Sequence, residues 1–357
     1  MRHTSENLAL ELRKVTTEWG IKDKIILAVS DNAANIVSAI KSVGWKQLGC
    51  VAHTINLTVK DGLKNDDIQT IINKVKEIYQ ENQNKPVPLK LILEVSTRWN
   101  STFYMLQRFI ELEEAIKSTV AILEKELPIL TAGEWKTIKE LCKILRPFED
   151  ATKTISGEKY CTASLVIPIC NGIRKTLLNL SKNQFSELIK NILEILRSTF
   201  EERLGNVENS NTLSISTFLC PKFKQMGFSN DTTANSVKQK IINMIAAKIT
   251  IKTKEDQEKM TTSKAVTADN ADTKNIDDGN DEEEISIWSD FDKKFAANQP
   301  KGSSTSRAII EKQRYMEEDI IPRDSDSFLW WQQHKQILPH LSQVAQERLL
   351  KFSNEEH

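Results

Sequence analysis

From Asp66 onward most of the chain is written in a helical period. "DDIQTIINKVKEIYQENQ", "STFYMLQRFIELEEAIKSTVAILEKE", "TAGEWKTIKELCKILRPFEDATKTIS", "CTASLVIPICNGIRKTLLNL" and "QFSELIKNILEILRSTFEERLG" follow one another, with apolar residues recurring three and four apart. Residues at that spacing share one side of an α-helix, so each segment carries an apolar stripe that a neighbour must cover. Pro88 and Pro128 fall between segments, where breaks are expected. Pro147, just after "LCKILR", is expected to kink or end its helix. The pattern predicts an all-helical domain over residues 67–251.

The first 66 residues have a different texture. A helix is expected over 4–19, with Leu8, Leu10, Leu12 and Val15 near one stripe and Thr4 or Ser5 as its cap. Ile25 to Val29 is a short apolar run, read as a buried strand. A helix over 32–43 follows, with Gly44 as its stop. Residues 47–51 form a second short strand, and a helix runs on to about Leu63. Strand–helix–strand–helix implies two parallel strands. The fold class expected is mainly α with a small α/β part.

Composition changes again after Lys252. Residues 252–306 are polar, with an acidic run from Asp277 to Glu284, and read as a disordered linker that buries too little apolar surface to order itself. Residues 307–352 are helical once more and contain "FLWWQQHKQILPHLSQVA". Phe328, Trp331, Ile337, Leu341 and Val344 make this stretch apolar and aromatic-rich, a composition typical of interface cores. A segment this short must dock on the main body or on a second chain.

Charge narrows the partners. Lysine plus arginine and aspartate plus glutamate both number 49, so any attraction to nucleic acid must come from a local basic surface. No apolar run approaches the roughly 18 residues of a membrane span, and the charged N-terminal stretch lacks the apolar core of a secretory signal. The 5 cysteines are scattered and odd in number, which favours free thiols over a disulfide framework.

Four stretches could carry chemistry. Asp31 ends the first strand, where a carboxylate can take a hard divalent cation; it can equally be the N-cap of the next helix. Cys50 and His53 form Cys-x-x-His, half of a zinc site, but no second Cys/His pair completes it, so no metal site is assigned. If the strands are parallel, both residues come to lie beside Asp31, where His53 could polarise a site or be a satisfied core histidine. Arg98 and Trp99 offer a guanidinium and a ring, a pair that can hold a phosphate and an unstacked base; alternatively Trp99 is core and Arg98 caps a neighbouring helix. The aromatic C-terminal stretch is the fourth.

Taken together, the stretches "HTSENLALELRKVTTEWGI", "VSDNAANIVSAI", "LGCVAHTINLTV", "VSTRWNSTFYMLQRFIEL", "STFLCPKFK" and "YMEEDIIPRDSDSFLWWQQHKQILPHLSQVAQERLL" resemble, in order, the hAT superfamily of transposases and the BED-finger proteins domesticated from them. The resemblance implies a ribonuclease H-like fold interrupted by a large helical insertion, with a C-terminal dimerisation segment. It implies DNA as partner, self-association, a nuclear location, and neither a membrane nor a small-molecule substrate. Carried over by resemblance, Asp31 takes the position of the second of three acidic residues, with Cys50 and His53 near that site. Arg98 and Trp99 take the base-handling pair, and Phe328, Trp330, Trp331, Ile337 and Leu341 fall in the dimerisation segment.

The departures from the family pattern shape the functional expectation. The BED finger and the strand with the first acidic residue lie upstream of the "HTSENL" match in the family. The third acidic residue, a glutamate, belongs beyond "LL", where Glu355 and Glu356 stand in no matching context. The family's aspartate in "LDPRFK" is Cys220 here. The expectation is an incomplete ribonuclease H-like unit over 1–66 and a truncated dimerisation segment. Such a protein is expected to be catalytically inactive, without cofactor, where the family would use Mg or Mn. The alternative is a fragment of an active transposase.

Overall fold

The computed structural model describes residues 4–25, 27–82, 98–122, 127–157, 162–268 and 302–349. Helix α1 (Ser5–Glu18) starts where Thr4 accepts the Asn7 amide at 3.4 Å. Leu8, Leu12 and Val15 are half-buried on one side, while Leu10 points to solvent at 63% exposure and leaves the expected stripe. Strand β1 (Leu27–Ser30) leads into α2 (Ala34–Val43), which ends at Gly44 with φ 89°, a left-handed stop that glycine adopts without strain. Strand β2 (Lys46–Gly49) then enters α3 (Val51–Leu63).

The two strands are parallel, as expected, with Leu27 opposite Lys46 and Ser30 opposite Gly49. Among the described residues they make a two-stranded sheet. β1 is not the buried strand its apolar run suggests: Val29 is 55% exposed. Side chains alternate across a sheet, so both faces of an apolar strand are covered only when both faces carry other elements.

The helical body follows. α4 (Asp66–Asn82) buries Ile68, Ile71, Ile72, Val75, Ile78 and Tyr79, an unbroken three–four stripe. Burial pushes the Tyr79 phenol up to about 12. α5 (Trp99–Glu111), α6 (Glu113–Ile122), α7 (Ala132–Ile155), α8 (Ala163–Leu180), α9 (Glu187–Leu204) and α10 (Asn211–Leu219) complete the series. α7 opens on a capping box in which Thr131 and Glu134 each satisfy the other's backbone amide, at 3.2 and 2.7 Å. Pro147 lies inside α7 without ending it; the helix runs on to Ile155, held by Phe148 and Ala151 in the core. Burial pushes the Cys142 and Cys170 thiols up to about 12.

The small sheet does not stand as a domain over 1–66, because α3 packs on α7 and α9. Residues up to Thr217 form one compact unit. Asp61 ties α3 to α9: burial opposes its ionisation, but hydrogen bonds from Lys64 and Arg203, at 2.6 Å each, hold the carboxyl below its usual range. One residue on, Gly62 lets the helices approach closely; a Cβ there would lie 2.7 Å from Leu196 Cδ2, and Leu196 is fully buried. Gly172, in α8, faces open space. The same substitution should therefore have opposite signs. Gly172→Ala should raise stability in urea by about 0.8 kcal/mol through helix propensity. Gly62→Ala should lower it by about 1–3 kcal/mol through overpacking. Equal shifts of one sign would refute the close packing of α3 on α9.

The second unit starts at Phe218, inside α10, so residues 218–251 belong with the C-terminal segment and not with the helical domain expected over 67–251. It contains α11 (Asp231–Ala268), α12 (Ser304–Glu317), α13 (Ser327–Gln333) and α14 (Pro339–Leu349). α11 carries helix to Ala268 and α12 begins at Ser304, both inside the span expected as a linker from 252 to 306. Ile249 holds α11 in the core, and its helix propagates from that anchor into the polar sequence. The acidic run lies outside the described residues.

Candidate nucleic-acid interface

The site begins with strand register. Because Ser30 pairs with Gly49, the next residues, Asp31 and Cys50, leave the sheet at the same end. The Cys50 amide donates to the Ser30 carbonyl at 2.7 Å and carries the pairing one step beyond the strands. Asp31 is exposed, and its Oδ1 accepts the Ala33 amide at 3.3 Å. That is an Asx turn. The N-cap of α2 is Ala33, whose side chain makes no capping bond, so Asp31 turns the chain toward the helix without being its cap. Asn32 lies across the strand end: a Cβ on Gly49 would sit 2.6 Å from its Oδ1.

Cys50 is the N-cap of α3, again without a side-chain capping bond, and His53 lies one turn further along. Both are half-buried. α2 and α3 thus start at one end of the sheet, where helix N-termini favour anions. This parallel placement of Asp31 and Cys50 was legible from the strand pattern. Among the described residues no group of three or more His, Cys, Asp or Glu side chains is arranged to hold a metal ion. The divalent pair that the family resemblance implies does not fit a single exposed carboxylate.

Arg98 and Trp99 separate in role. Arg98 is exposed, with extended backbone at φ −124°, directly before α5. Its side chain makes no capping bond to its own helix. Trp99 is 2% exposed, and its ring meets Phe103 with centroids 6.1 Å apart. A buried indole cannot stack on an incoming base, so the base-handling role expected of Trp99 is corrected to a core role. Sequence reasoning passed over Asn56. Its Oδ1 accepts the Trp99 amide at 3.2 Å and so caps α5 from α3.

Trp330, Trp331 and Leu341 are buried inside the second unit. Tyr315 stacks on Trp331 at 5.2 Å and meets Trp330 edge-on at 5.7 Å. Trp331 Nε1 donates to the Leu219 carbonyl at 2.9 Å. Phe328 is half-buried, and Ile337, at 50%, is exposed. A short aromatic stretch has covered itself with its own unit, which leaves Ile337 and Leu329 (51%) facing outward. Two buried charges, invisible to pattern reading, hold this unit together. Lys224, in left-handed backbone at φ 47°, donates to the Tyr315 carbonyl at 2.6 Å and to the Glu318 carbonyl, and burial lowers its pKa. Glu311 caps α14.

A mainly helical protein that carries a small parallel strand–helix unit, with an aspartate and a Cys-x-x-His helix at its strand ends, is the class this geometry defines. Residues 80–144 match the family described as the ZBED1 RNase-like helical domain. The chain is 23% identical to human zinc finger BED domain-containing protein 4, over 89% of the chain and 27% of that protein. It is 25% identical to human zinc finger BED domain-containing protein 6, over 89% of the chain and 35% of that protein. A Zea mays protein named for the AC transposase is 25% identical over 63% of the chain and 31% of its own length. The chain is thus similar to BED zinc finger proteins and to the AC transposase, and it spans about a third of these relatives' lengths (27%, 35% and 31%). No described helix is long and apolar enough to cross a membrane.

Proposed function

We propose that these residues form a DNA-directed, self-associating part of a nuclear hAT-type protein, and that they do not cleave DNA by themselves. The observation that carries the reading is the strand-end arrangement: Asp31 beside Cys50, α3 bearing His53, and the exposed Arg98 bonded through its neighbour to that same helix. Arg98 supplies a phosphate contact next to a helix N-terminus, while the buried Trp99 supplies no base stacking. Binding of this kind is electrostatic and independent of base sequence.

Binding to hairpin or single-stranded DNA should accordingly weaken steeply with salt. Arg98→Ala should reduce the slope of log affinity against log salt by about 1, as expected for the loss of one phosphate contact. Trp99→Ala should act on thermal stability instead. The absence of any shift at low salt would sink the DNA reading. Self-association rests on the outward Leu329 and Ile337, and light scattering that shows a strict monomer at high concentration would refute it.

One carboxylate cannot hold two metal ions in line with a scissile phosphate, so manganese-dependent cleavage by this chain would overturn the non-catalytic part of the proposal. A second reading sets these residues within a longer, metal-dependent transposase. The similarity to the AC transposase, of which the chain spans 31%, favours it, and a transcript carrying further acidic segments would support it.

A further inference from the structure

The geometry points to Asn56 as a positioning residue that sets Arg98 for its phosphate contact; the inference rests on the DNA reading above. Helix N-termini are ordinarily capped by the residue that precedes them, and Ser, Thr, Asp or Asn suit that place. Here that residue is Arg98, which makes no side-chain capping bond. The bond comes from another element: Asn56 Oδ1, in α3, accepts the amide of Trp99 at 3.2 Å, across 43 positions of sequence. Asn56 lies three residues after His53 and six after Cys50. Residues three apart share a helix face. The helix that leaves the strand ends therefore also anchors the start of α5.

Arg98 is held through the residues that follow it. The Trp99 indole is locked in the core against Phe103. At its own carbonyl, Ser101 donates both its amide, at 3.1 Å, and its hydroxyl, at 2.6 Å. The backbone under the guanidinium is thus fixed by three bonds while the side chain stays exposed. Preorganising a cation in this way removes part of the ordering cost of contacting a polyanion. Removal of Asn56 leaves the Trp99 amide without its acceptor and frees the α5 entry from α3.

The test uses the full chain, a hairpin DNA at low salt, and hydrogen exchange resolved at the α5 entry. Asn56→Ala should weaken DNA binding about fivefold, within the range for coupled neighbours. The double variant with Arg98→Ala should bind no more weakly than Arg98→Ala alone, because Asn56 acts through Arg98. Asn56→Ala should also speed exchange of the Trp99 amide, and Asn56→Asp, which keeps an acceptor oxygen, should restore its protection. Additive losses in the double variant, or unchanged affinity for Asn56→Ala where Arg98→Ala weakens binding, would overturn the positioning role. Unchanged Trp99 exchange in Asn56→Ala would overturn the tether itself. If Arg98→Ala leaves affinity unchanged while exchange responds to Asn56→Ala, the DNA reading has failed and the positioning role falls with it.

Discussion

Trp331→Ala should destabilise the C-terminal unit by about 3–5 kcal/mol, the range for deleting a large buried aromatic. Trp331 is 6% exposed, stacked on Tyr315 at 5.2 Å and edge-on to Trp330 at 4.9 Å. Its removal leaves a cavity among these rings and strips the Leu219 carbonyl of its donor. Trp331→Phe keeps the ring and loses the donor, and should cost about 1–3 kcal/mol, the penalty of one buried unsatisfied acceptor. Urea unfolding, with hydrogen exchange followed over residues 304–349, measures both. The outcome separates two roles. A residue that served only a partner chain would leave exchange in this unit unchanged and shift the association constant alone.

Glu311→Ala should have an effect of similar size, about 3 kcal/mol, since hydrogen bonds to a charged group contribute about 1.5–3 kcal/mol each when their loss leaves partners buried. The N-terminus of α14 follows Leu338, which has no capping group. Glu311, 7% exposed on α12, fills that place: Oε1 accepts the amides of His340 at 2.8 Å and Leu341 at 2.6 Å. Its Oε2 lies 3.0 Å from His340 Nδ1. A carboxylate at this end also meets the positive pole of the helix. Glu311→Gln keeps one acceptor oxygen for the two amides and should lose roughly 1 kcal/mol, the net worth of the charge at a helix end. Fast exchange confined to the first turn of α14 would mark the lost cap. Equal stability of Glu311→Ala and the parent would show that water satisfies those amides.

Much of the local structure was readable. The helix ends at Thr4 and Gly44 follow from residues whose preferences are local. The parallel pairing that sets Asp31 beside Cys50 follows from the strand–helix–strand order. That α7 runs on past Pro147 was not legible, because the rule for proline is local, whereas the core contacts of Phe148 and Ala151 belong to the packed helix. The start of the second compact unit at Phe218 is not marked in the sequence, since the helical period runs through Thr217 and Phe218 unchanged; which helices cover one another is not written in the period.

The sequence by itself determined most of the helices, roughly where the two strands lie and which end of them bears Asp31, Cys50 and His53. Backbone preference and apolar spacing act over a few residues, and a few residues are enough to read them. Only the tertiary structure decided that Trp99, Trp330 and Trp331 are core, that Asn56 caps α5, and that Glu311 caps α14. Burial and a hydrogen bond across 43 positions depend on which surfaces meet, and an aromatic stripe looks the same whether its own chain or another molecule covers it.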